Sequence, residues 1–255
     1  MPPPDHPMLF DMELRELRRA RARRLGPELF IHERAFGDCL ERLALLDRRF
    51  ERALLVGSRS DDWLPRLGQI AASVELFDDA VADDCWDAPE LAYDLVVSIG
   101  SLDTVNDLPL ALAKIRRALA PGGLLIGAVA GGNSLPQLRQ AMRAADAVTG
   151  AAAPHVHPRI EPAALAPLLD QAGFARPVVD IDRAQVAYRS LDRLIGDLRA
   201  MGATNILPRR PRFAGRSARN AAEQAFAVAG EDGRTVELFE ILHFAAWSGQ
   251  RLKPD

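Results

Sequence analysis

The sequence predicts an α/β fold with a mostly parallel central sheet and helices on both of its faces. Residues 93–98 form an apolar strand, residues 109–119 carry apolar side chains at helical spacing, and residues 124–129 form a second apolar strand. A strand, a helix and a strand joined this closely imply two parallel strands with a crossover helix. Because both strands are apolar along most of their length, we expect the sheet to be buried on both faces.

The other elements are predicted from apolar periodicity and from the glycines and prolines between the periodic segments. Gly173 and Gly202 each follow a predicted helix, as C-terminal capping glycines do. Helices are predicted at residues 9–25, 28–49, 62–70, 135–148, 161–172, 191–201 and 218–229, and strands at residues 52–57, 73–77, 177–181, 185–189 and 235–247. Turns or loops are predicted at residues 78–92, 121–123 and 151–158.

This order of elements predicts one α/β domain with a helical extension in front of it. Residues 1–50 form the N-terminal helical extension, and residues 51–255 form the α/β domain. Residues 190–230 interrupt that domain as a mainly helical insertion. A chain of 255 residues is long enough to bury one sizeable core with such an appendage.

Composition excludes several classes of function. The chain is 48% hydrophobic and 26% charged with a net charge of −3, so no overall basic field attracts nucleic acid. Cys39 and Cys85 form neither a disulfide framework nor a repeated metal-ligand spacing. No apolar run approaches the roughly 20 residues that span a bilayer, and the first residues lack a signal pattern. We therefore expect a cytoplasmic protein without a transmembrane segment.

Positive charge is concentrated in two segments, Arg15–Arg24 and Arg209–Arg219. The simpler interpretation of the first segment is a helix that packs through a thin apolar stripe and exposes its arginines to solvent. The alternative is that both segments bind an anionic surface on a protein partner or on a membrane leaflet.

The end of the first strand is the expected ligand site, because ligands of open parallel sheets bind beyond the carboxyl ends of the strands. Gly57 follows this strand directly. The strand, helix and strand at residues 93–129 resemble the later half of the class I S-adenosylmethionine-dependent methyltransferases. The resemblance implies a Rossmann-like methyltransferase fold and S-adenosylmethionine as the cofactor.

The resemblance also implies which residues hold the cofactor. Asp78 corresponds to the acid that accepts hydrogen bonds from the ribose diol, and Asp83 to the acid near the adenine amine. The full set of cofactor-binding candidates is Gly57, Asp78, Asp83, Ser98, Gly100 and Ser101.

Three residues depart from the family pattern at the first strand. That pattern is an acid followed by three alternating glycines, whereas here Leu55 replaces the acid, and Arg59 and Asp61 replace the second and third glycines. The arginine and the aspartate add side chains where the ligand would pass and disfavour the positive φ that glycine permits. We expect the cofactor site to be remodelled, and an altered ligand, such as a carboxylated or phosphorylated small molecule, stays open.

A narrower likeness covers nearly the whole chain. Residues 101–109, SLDTVNDLP, and residues 131–135, GGNSL, are similar to segments of the family of bacterial and mitochondrial methyltransferase-fold proteins that includes the complex I assembly factor acting as a protein-arginine hydroxylase. Residues 198–205, LRAMGATN, continue the likeness. In that family a histidine and a tryptophan stand where this chain has Asp103 and Thr104. The resemblance also implies a contact with a respiratory complex.

No catalytic residue is identified with the same clarity. Asp103, Asn106 and His155 are the candidates, because they are polar and lie near the expected rim of the site. Asp107 is better explained as a helix cap, since Leu108-Pro109 follows it. His155 and His157 are interpreted either as a pair lining the substrate cleft or as ordinary loop histidines. His243 is predicted to be a core residue.

Two functions are consistent with these residues. The first is a methyltransferase-type enzyme that modifies a protein or a small-molecule acceptor. The second is a non-catalytic protein of the same fold that acts as an assembly factor or as the partner of an active paralogue. Binding of S-adenosylmethionine would distinguish them.

Overall fold

A six-stranded sheet runs through the described part of the chain. The computed structural model describes residues 8–77, 88–150, 152–208 and 215–249. The strands are β1 (Phe50–Val56), β2 (Ala71–Phe77), β3 (Tyr93–Ile99), β4 (Leu119–Ala130), β5 (Ala175–Tyr188) and β6 (Thr235–Trp247). They follow the order β2-β1-β3-β4-β6-β5 across the sheet.

The central strands are parallel, as predicted. β1 pairs in parallel with β2 and with β3, and β3 pairs in parallel with β4. β6 inserts antiparallel beside β4, from Leu124 opposite Trp247 to Ala130 opposite Ile241. The mostly parallel α/β sheet predicted from residues 93–129 is therefore confirmed.

Eight α-helices lie within the described ranges, each within a few residues of a predicted helix. Gly173 and Gly202 both have positive φ after their helices, at +84° and +68°, which is the conformation of a C-terminal cap. The helices are α1 (Met12–Leu25), α2 (Phe30–Ala44), α3 (Trp63–Leu67), α4 (Leu108–Ala118), α5 (Pro136–Thr149), α6 (Pro162–Gln171), α7 (Leu191–Ala200) and α8 (Arg216–Val228).

Two predicted interruptions of strands were wrong. The turn at residues 121–123 lies within β4, because Gly122 N donates to Gly249 O and Ser248 N donates to Gly123 O, both at 2.8 Å, so pairing continues through the glycines. The strands predicted at residues 177–181 and 185–189 are one strand, β5. Residues 182–184, Asp-Arg-Ala, continue the alternation of half-buried and exposed side chains along this strand and do not form a turn.

Alternating residues of the strands bury their side chains on opposite faces of the sheet. Leu54, Val96 and Leu125 pack in one apolar layer with residues of α4 and α6. Leu55 and Val97 pack in the other layer with residues of α2 and α3. Helices therefore cover both faces, which explains why these strands are apolar at consecutive positions.

Asp94 fixes the start of the β1–β3 pair. Its two carboxylate oxygens accept hydrogen bonds from the backbone N–H groups of Glu51 and Arg52, each at 2.9 Å. Regular pairing of the two strands begins next to these bonds, with Ala53 opposite Leu95.

The described contacts divide the chain into two compact units. The sheet unit comprises residues 30–132, 159–182 and 241–255, and the helical unit comprises residues 1–29, 133–158 and 183–240. α1 belongs to the helical unit and α2 to the sheet unit. The division at residue 50 stays a prediction.

In α1, two arginines are buried and two leucines are exposed, which is the reverse of the predicted packed apolar stripe and solvated arginine face. Arg15 and Arg19 are buried, at 1% and 6% exposure, while Leu17 and Leu25 are exposed at 66% and 63%. A solvated arginine face is therefore wrong for Arg15 and Arg19, because their long aliphatic stems can line an apolar interface. Among the described residues, no helix is long and apolar enough to cross a membrane.

Candidate functional site

The ends of β1 and β3 bring two glycine turns together at one edge of the sheet. Val56 lies opposite Ser98, so Gly57 and Gly100 both follow the last paired residues of neighbouring parallel strands. Gly57 has φ +71° and Gly100 has φ +62°, and both turns use backbone conformations that favour glycine. This edge is where an open parallel sheet binds ligands.

Ser101, one of the two predicted site serines, ties the two turns at this edge together. Ser98 and Ser101 are both fully buried. The Ser101 hydroxyl donates to the carbonyl oxygen of Val56 at 3.2 Å, which ties the turn after β3 to the end of β1.

Arg59 reaches from the turn after β1 to the turn after β3. Its Nη2 donates to the carbonyl oxygen of Gly100 at 2.6 Å. This is the short distance of a charge-assisted hydrogen bond. The guanidinium therefore lies on the glycine turn at which the sequence predicts the cofactor.

The turn after β1 is closed by its own serines. Ser58 Oγ donates to the carbonyl oxygen of Ser60 at 2.7 Å, and Asp62 N donates to Ser60 Oγ at 3.3 Å. A turn that satisfies its polar groups internally has fewer of them to offer to a ligand.

The short helix after this turn is fixed to α2. Glu33 accepts hydrogen bonds from Trp63 Nε1 at 2.5 Å and from Arg66 Nη1 at 2.7 Å. The buried Trp63 ring stacks on Phe36 with 4.5 Å between ring centroids. These contacts hold the residues that follow Arg59 in place.

His32 is a site residue that the sequence patterns do not reveal. It lies in α2, and a Cβ at Gly100 would come within 3.1 Å of His32 Cδ2 and 3.2 Å of Nε2. The imidazole therefore packs directly against the turn after β3. No local pattern indicates this contact, because α2 and Gly100 meet only when the sheet is assembled.

Asp103 is paired with an arginine from a distant part of the chain. Arg159 Nη1 donates to Asp103 Oδ2 at 2.8 Å, and the side chains are only 8% and 7% exposed. Each of these two buried groups therefore has a partner of opposite charge within hydrogen-bond distance. The pair explains how an acid can occupy the position at which the family has a histidine.

Of the other residues predicted near the site, one caps a helix and two lie outside the described residues. Asp107 caps α4, as predicted, since its Oδ1 accepts from Leu110 N at 2.8 Å. Asn106, beside it, is partly buried. Asp78 and Asp83 lie outside the described residues, so their assigned contacts with ribose and adenine stay predictions.

The two loop histidines belong to the helical unit and each has its own contact. His155 Nε2 lies 2.8 Å from Asp146 Oδ1. His157 is buried, and its Nε2 accepts from Ile206 N at 2.7 Å. Within the described ranges, no cluster of histidine, cysteine or acidic residues could hold a metal ion.

The mostly parallel sheet and the glycine turns at two neighbouring strand ends are features of α/β folds that bind ligands at this edge. A sequence model of the methyltransferase domain matches residues 28–177, which is more than half of the chain. The chain therefore belongs to the methyltransferase domain family, as its sequence predicts.

Curated relatives of two kinds share this region. The chain is 37% identical over 161 residues to the mitochondrial arginine-hydroxylase NDUFAF5 of Danio rerio, covering 62% of this chain and 50% of the relative. It is 35% identical over 161 residues to the malonyl-[acyl-carrier protein] O-methyltransferase of Xylella fastidiosa, covering 62% of this chain and 53% of the relative. The chain thus spans about half the length of the curated relatives it matches.

A solved structure has the same fold. A proposed methyltransferase of Bacillus halodurans superposes with a TM-score of 0.50 at 12% identity, covering 84% of this chain and 99% of that chain. The Rossmann-like methyltransferase fold is therefore confirmed.

At this edge the backbone suits S-adenosylmethionine, but the side chains do not. The two positive-φ glycines suit a ligand that approaches the backbone closely. Leu55, at the position of the family's acid, is completely buried among apolar side chains and offers no polar contact. Arg59 covers the Gly100 carbonyl oxygen. In this conformation the side chains of Leu55 and Arg59 do not fit the cofactor.

Proposed function

We propose that this chain is an S-adenosylmethionine-dependent methyltransferase-type protein that acts on a protein or small-molecule acceptor. The observation that carries the proposal is the pair of glycine turns, Gly57 and Gly100, at neighbouring strand ends in a chain of the methyltransferase domain family. Of the relatives, the malonyl-[acyl-carrier protein] O-methyltransferase supports methyl transfer to a group carried on a protein, whereas the arginine-hydroxylase supports modification of an arginine.

The residues proposed to hold the cofactor are those of the two turns and the acids after β2. Gly57, Gly100 and Ser101 would border its methionine and ribose portions, and Asp78 and Asp83 would bind ribose and adenine. Cofactor binding requires Arg59 to leave the carbonyl oxygen of Gly100.

Calorimetric titration of the purified protein with S-adenosylmethionine and S-adenosylhomocysteine tests the proposal. We expect saturable heat with a dissociation constant between micromolar and millimolar, because Arg59 must be displaced first. The triple variant Leu55→Asp, Arg59→Gly, Asp61→Gly is expected to bind more tightly. An absence of heat at millimolar ligand for both proteins would refute cofactor binding.

The contact between Arg59 and Gly100 favours a second candidate function, that of a non-catalytic methyltransferase-fold protein. Such a protein would act as an assembly factor or as the partner of an active paralogue. Its proposed contacts are the segments Arg15–Arg24 and Arg209–Arg219, of which residues 209–214 lie outside the described residues. In α1, Arg21 and Arg24 are exposed, as are Leu17 and Leu25, and such a surface suits an anionic partner. We place this function in the cytoplasm.

Co-elution with the active paralogue in size-exclusion chromatography tests the second function separately from ligand binding. If α1 contacts the partner protein, reversing its charge with Arg21→Glu and Arg24→Glu should abolish co-elution. The ligand titrations should stay unchanged. Leu17→Ser is the matched change at an exposed apolar residue of the same helix. Unchanged co-elution in both variants would exclude α1 as the contact.

A further inference from the structure

One face of α1 exposes two leucines and two arginines together. Leu17, Arg21, Arg24 and Leu25 stand at positions i, i+4, i+7 and i+8, so they share one face of the helix. All four are exposed, the leucines at 66% and 63%. Within the described helices and strands, no leucine is more exposed than these two. We call this surface the leucine–arginine face of α1.

The opposite face of α1 is packed against the rest of the helical unit. Arg15 and Arg19 are buried there. The stem of Arg19 packs on the turn after α7, because a Cβ at Gly202 would come within 3.3 Å of Arg19 Cα and Cγ. Just before the helix, Asp11 N donates to Ile206 O at 2.8 Å. These contacts hold α1 with its leucine–arginine face outward.

This orientation is the reverse of the usual one. A surface helix usually buries its leucines and exposes its arginines, because burial of apolar area stabilises a fold. In α1, Leu17 and Leu25 lie outside, and Arg15 and Arg19 lie inside. The fold thus leaves unused the stabilisation that burial of two leucines would give. Exposed apolar side chains bordered by charged ones are typical of a surface that contacts a protein or a membrane.

The charge of the leucine–arginine face selects an anionic partner. The guanidinium groups of Arg21 and Arg24 form no ion pair with another described residue. The exposed acid Glu13 lies at the far end of the face, one turn before Leu17. From Leu17 to Leu25 the face is therefore both apolar and positively charged, which is the combination that binds anionic lipid surfaces.

The size of the face favours a membrane over a protein as the partner. α1 has 14 residues, so it is about 21 Å long and, at a width of about 10 Å, offers about 200 Å² on one face. A stable protein interface buries about 800 Å² on each partner. A protein would therefore need surfaces beyond α1, whereas a lipid leaflet can bind a single helix face.

We propose that the leucine–arginine face of α1 docks on an anionic phospholipid membrane. The two leucines enter the headgroup region, and the two arginines bind lipid phosphate groups. The contact involves the helical unit and does not require cofactor binding, so it is compatible with either proposed function. A protein partner on the same face is the alternative that the experiment separates.

Sedimentation of the full chain with vesicles tests the proposal. The vesicles contain phosphatidylcholine alone or phosphatidylcholine mixed with the anionic phosphatidylglycerol. The double variant Leu17→Ser with Leu25→Ser removes the apolar side chains, and Arg21→Gln with Arg24→Gln removes the charges. Arg23→Gln is the matched control, because Arg23 is exposed on the same helix but lies two residues from both Arg21 and Leu25 and so points away from them.

We expect the natural protein to bind the anionic vesicles and not the neutral ones. Added salt should release it, because salt screens the attraction between arginines and lipid phosphates. Each double variant should bind the anionic vesicles about tenfold more weakly or less. Arg23→Gln should bind nearly as tightly as the natural protein. Urea unfolding should be the same for all these proteins, since the substituted side chains are exposed.

Three outcomes would overturn the inference. Equal binding to the two kinds of vesicle would refute the selection by charge. Unchanged binding in both double variants would assign the membrane contact to another surface. If the natural protein binds no vesicle, the membrane proposal fails, and loss of paralogue co-elution in Arg21→Glu with Arg24→Glu would then assign the face to a protein partner. The cofactor titrations are independent of all three outcomes.

Discussion

At Gly100, backbone conformation and a neighbouring ring both limit substitution. Its φ of +62° is a conformation that L-residues rarely adopt, and His32 leaves only 3.1 Å for a Cβ. Gly100→Ala should lower the free energy of unfolding by about 1–3 kcal/mol, since it adds both strain and a close contact. Urea unfolding measures the change.

Gly37 is the matched control, because it lies within α2 and a Cβ added there would meet no neighbouring atom of the described residues within 4 Å. Gly37→Ala should raise the free energy of unfolding by about 0.5–1 kcal/mol through helix propensity. Equal effects at the two glycines would show that the turn after β3 is not constrained as described.

The Cys39 thiol is a second residue-scale test, since it lies at 0% exposure in α2. Burial raises its pKa to about 12. Because the thiolate is the reactive form, Cys39 should resist alkylation at neutral pH until the protein unfolds. The Cys85→Ser variant leaves Cys39 as the single cysteine. Mass spectrometry then measures the fraction of protein that is alkylated. Complete labelling of that variant under native conditions within minutes would contradict the burial of Cys39.

At the same scale, the sequence patterns indicate the location of the candidate site but not its contacts. Gly57 and Gly100 could be placed because each directly follows an apolar strand. His32 and Arg159 could not, because each reaches the site from an element that is distant in the chain. Pairwise contacts between distant elements leave no periodic pattern to detect.

Among the elements, α5 begins without a side-chain cap of its own, since Leu135 stands at its N-cap position. Ser134 Oγ donates to Glu240 O at 3.1 Å, and Asn133 Nδ2 donates to the Glu240 carboxylate. The first N–H groups of the helix, at Gln137 and Leu138, donate instead to the Glu237 carboxylate at 3.2 and 2.8 Å. A residue of β6 thus caps a helix 100 residues earlier in the chain.

Glu237→Ala should therefore destabilise the fold by about 1–3 kcal/mol, through loss of the cap and the unsatisfied N–H groups it leaves. Glu237→Gln keeps an acceptor oxygen and should cost less. Chemical denaturation of both variants gives the comparison. Glu231→Ala, at an exposed acid in the turn before β6, is the control, and a loss there as large as at Glu237 would rule out capping as the cause.

Strand and helix positions were predictable because apolar periodicity records which faces are buried. α4, whose buried residues include Ala111, Leu112 and Ile115, shows this spacing directly. The continuity of β4 was not predictable, because Pro121-Gly122-Gly123 is an ordinary turn sequence. The bonds to residues 248 and 249 keep that segment in the sheet.

For the whole molecule, His243 links stability to pH. It is a core residue, as predicted, at 3% exposure, and its Nδ1 lies 3.1 Å from Asp38 Oδ2. Burial lowers the pKa of His243 and outweighs the opposing attraction of Asp38. The folded protein thus resists a proton that the unfolded chain accepts near its ordinary pKa of about 6.5.

Because the unfolded state binds more protons, the contribution of His243 to stability is present above about pH 6.5 and is lost as the pH falls toward the lowered pKa of the folded state. His243→Gln should flatten the dependence of the unfolding free energy on pH between about pH 7 and pH 5. Denaturant titrations across that range measure it. An unaltered slope in the variant would assign the pH dependence to other groups.

The hydrogen bonds of Asp94 favour one register of β1 against β3 over the alternative registers during folding. Shifting β1 by a single residue against β3 would send Leu54 and Leu55 to the wrong layers and would separate both oxygens of Asp94 from the amides of Glu51 and Arg52. A shifted register thus loses both the burial of the two leucines and the two hydrogen bonds of Asp94. Only the native alignment retains both, so one carboxylate at the start of β3 helps to select a single register for the β1–β3 pair.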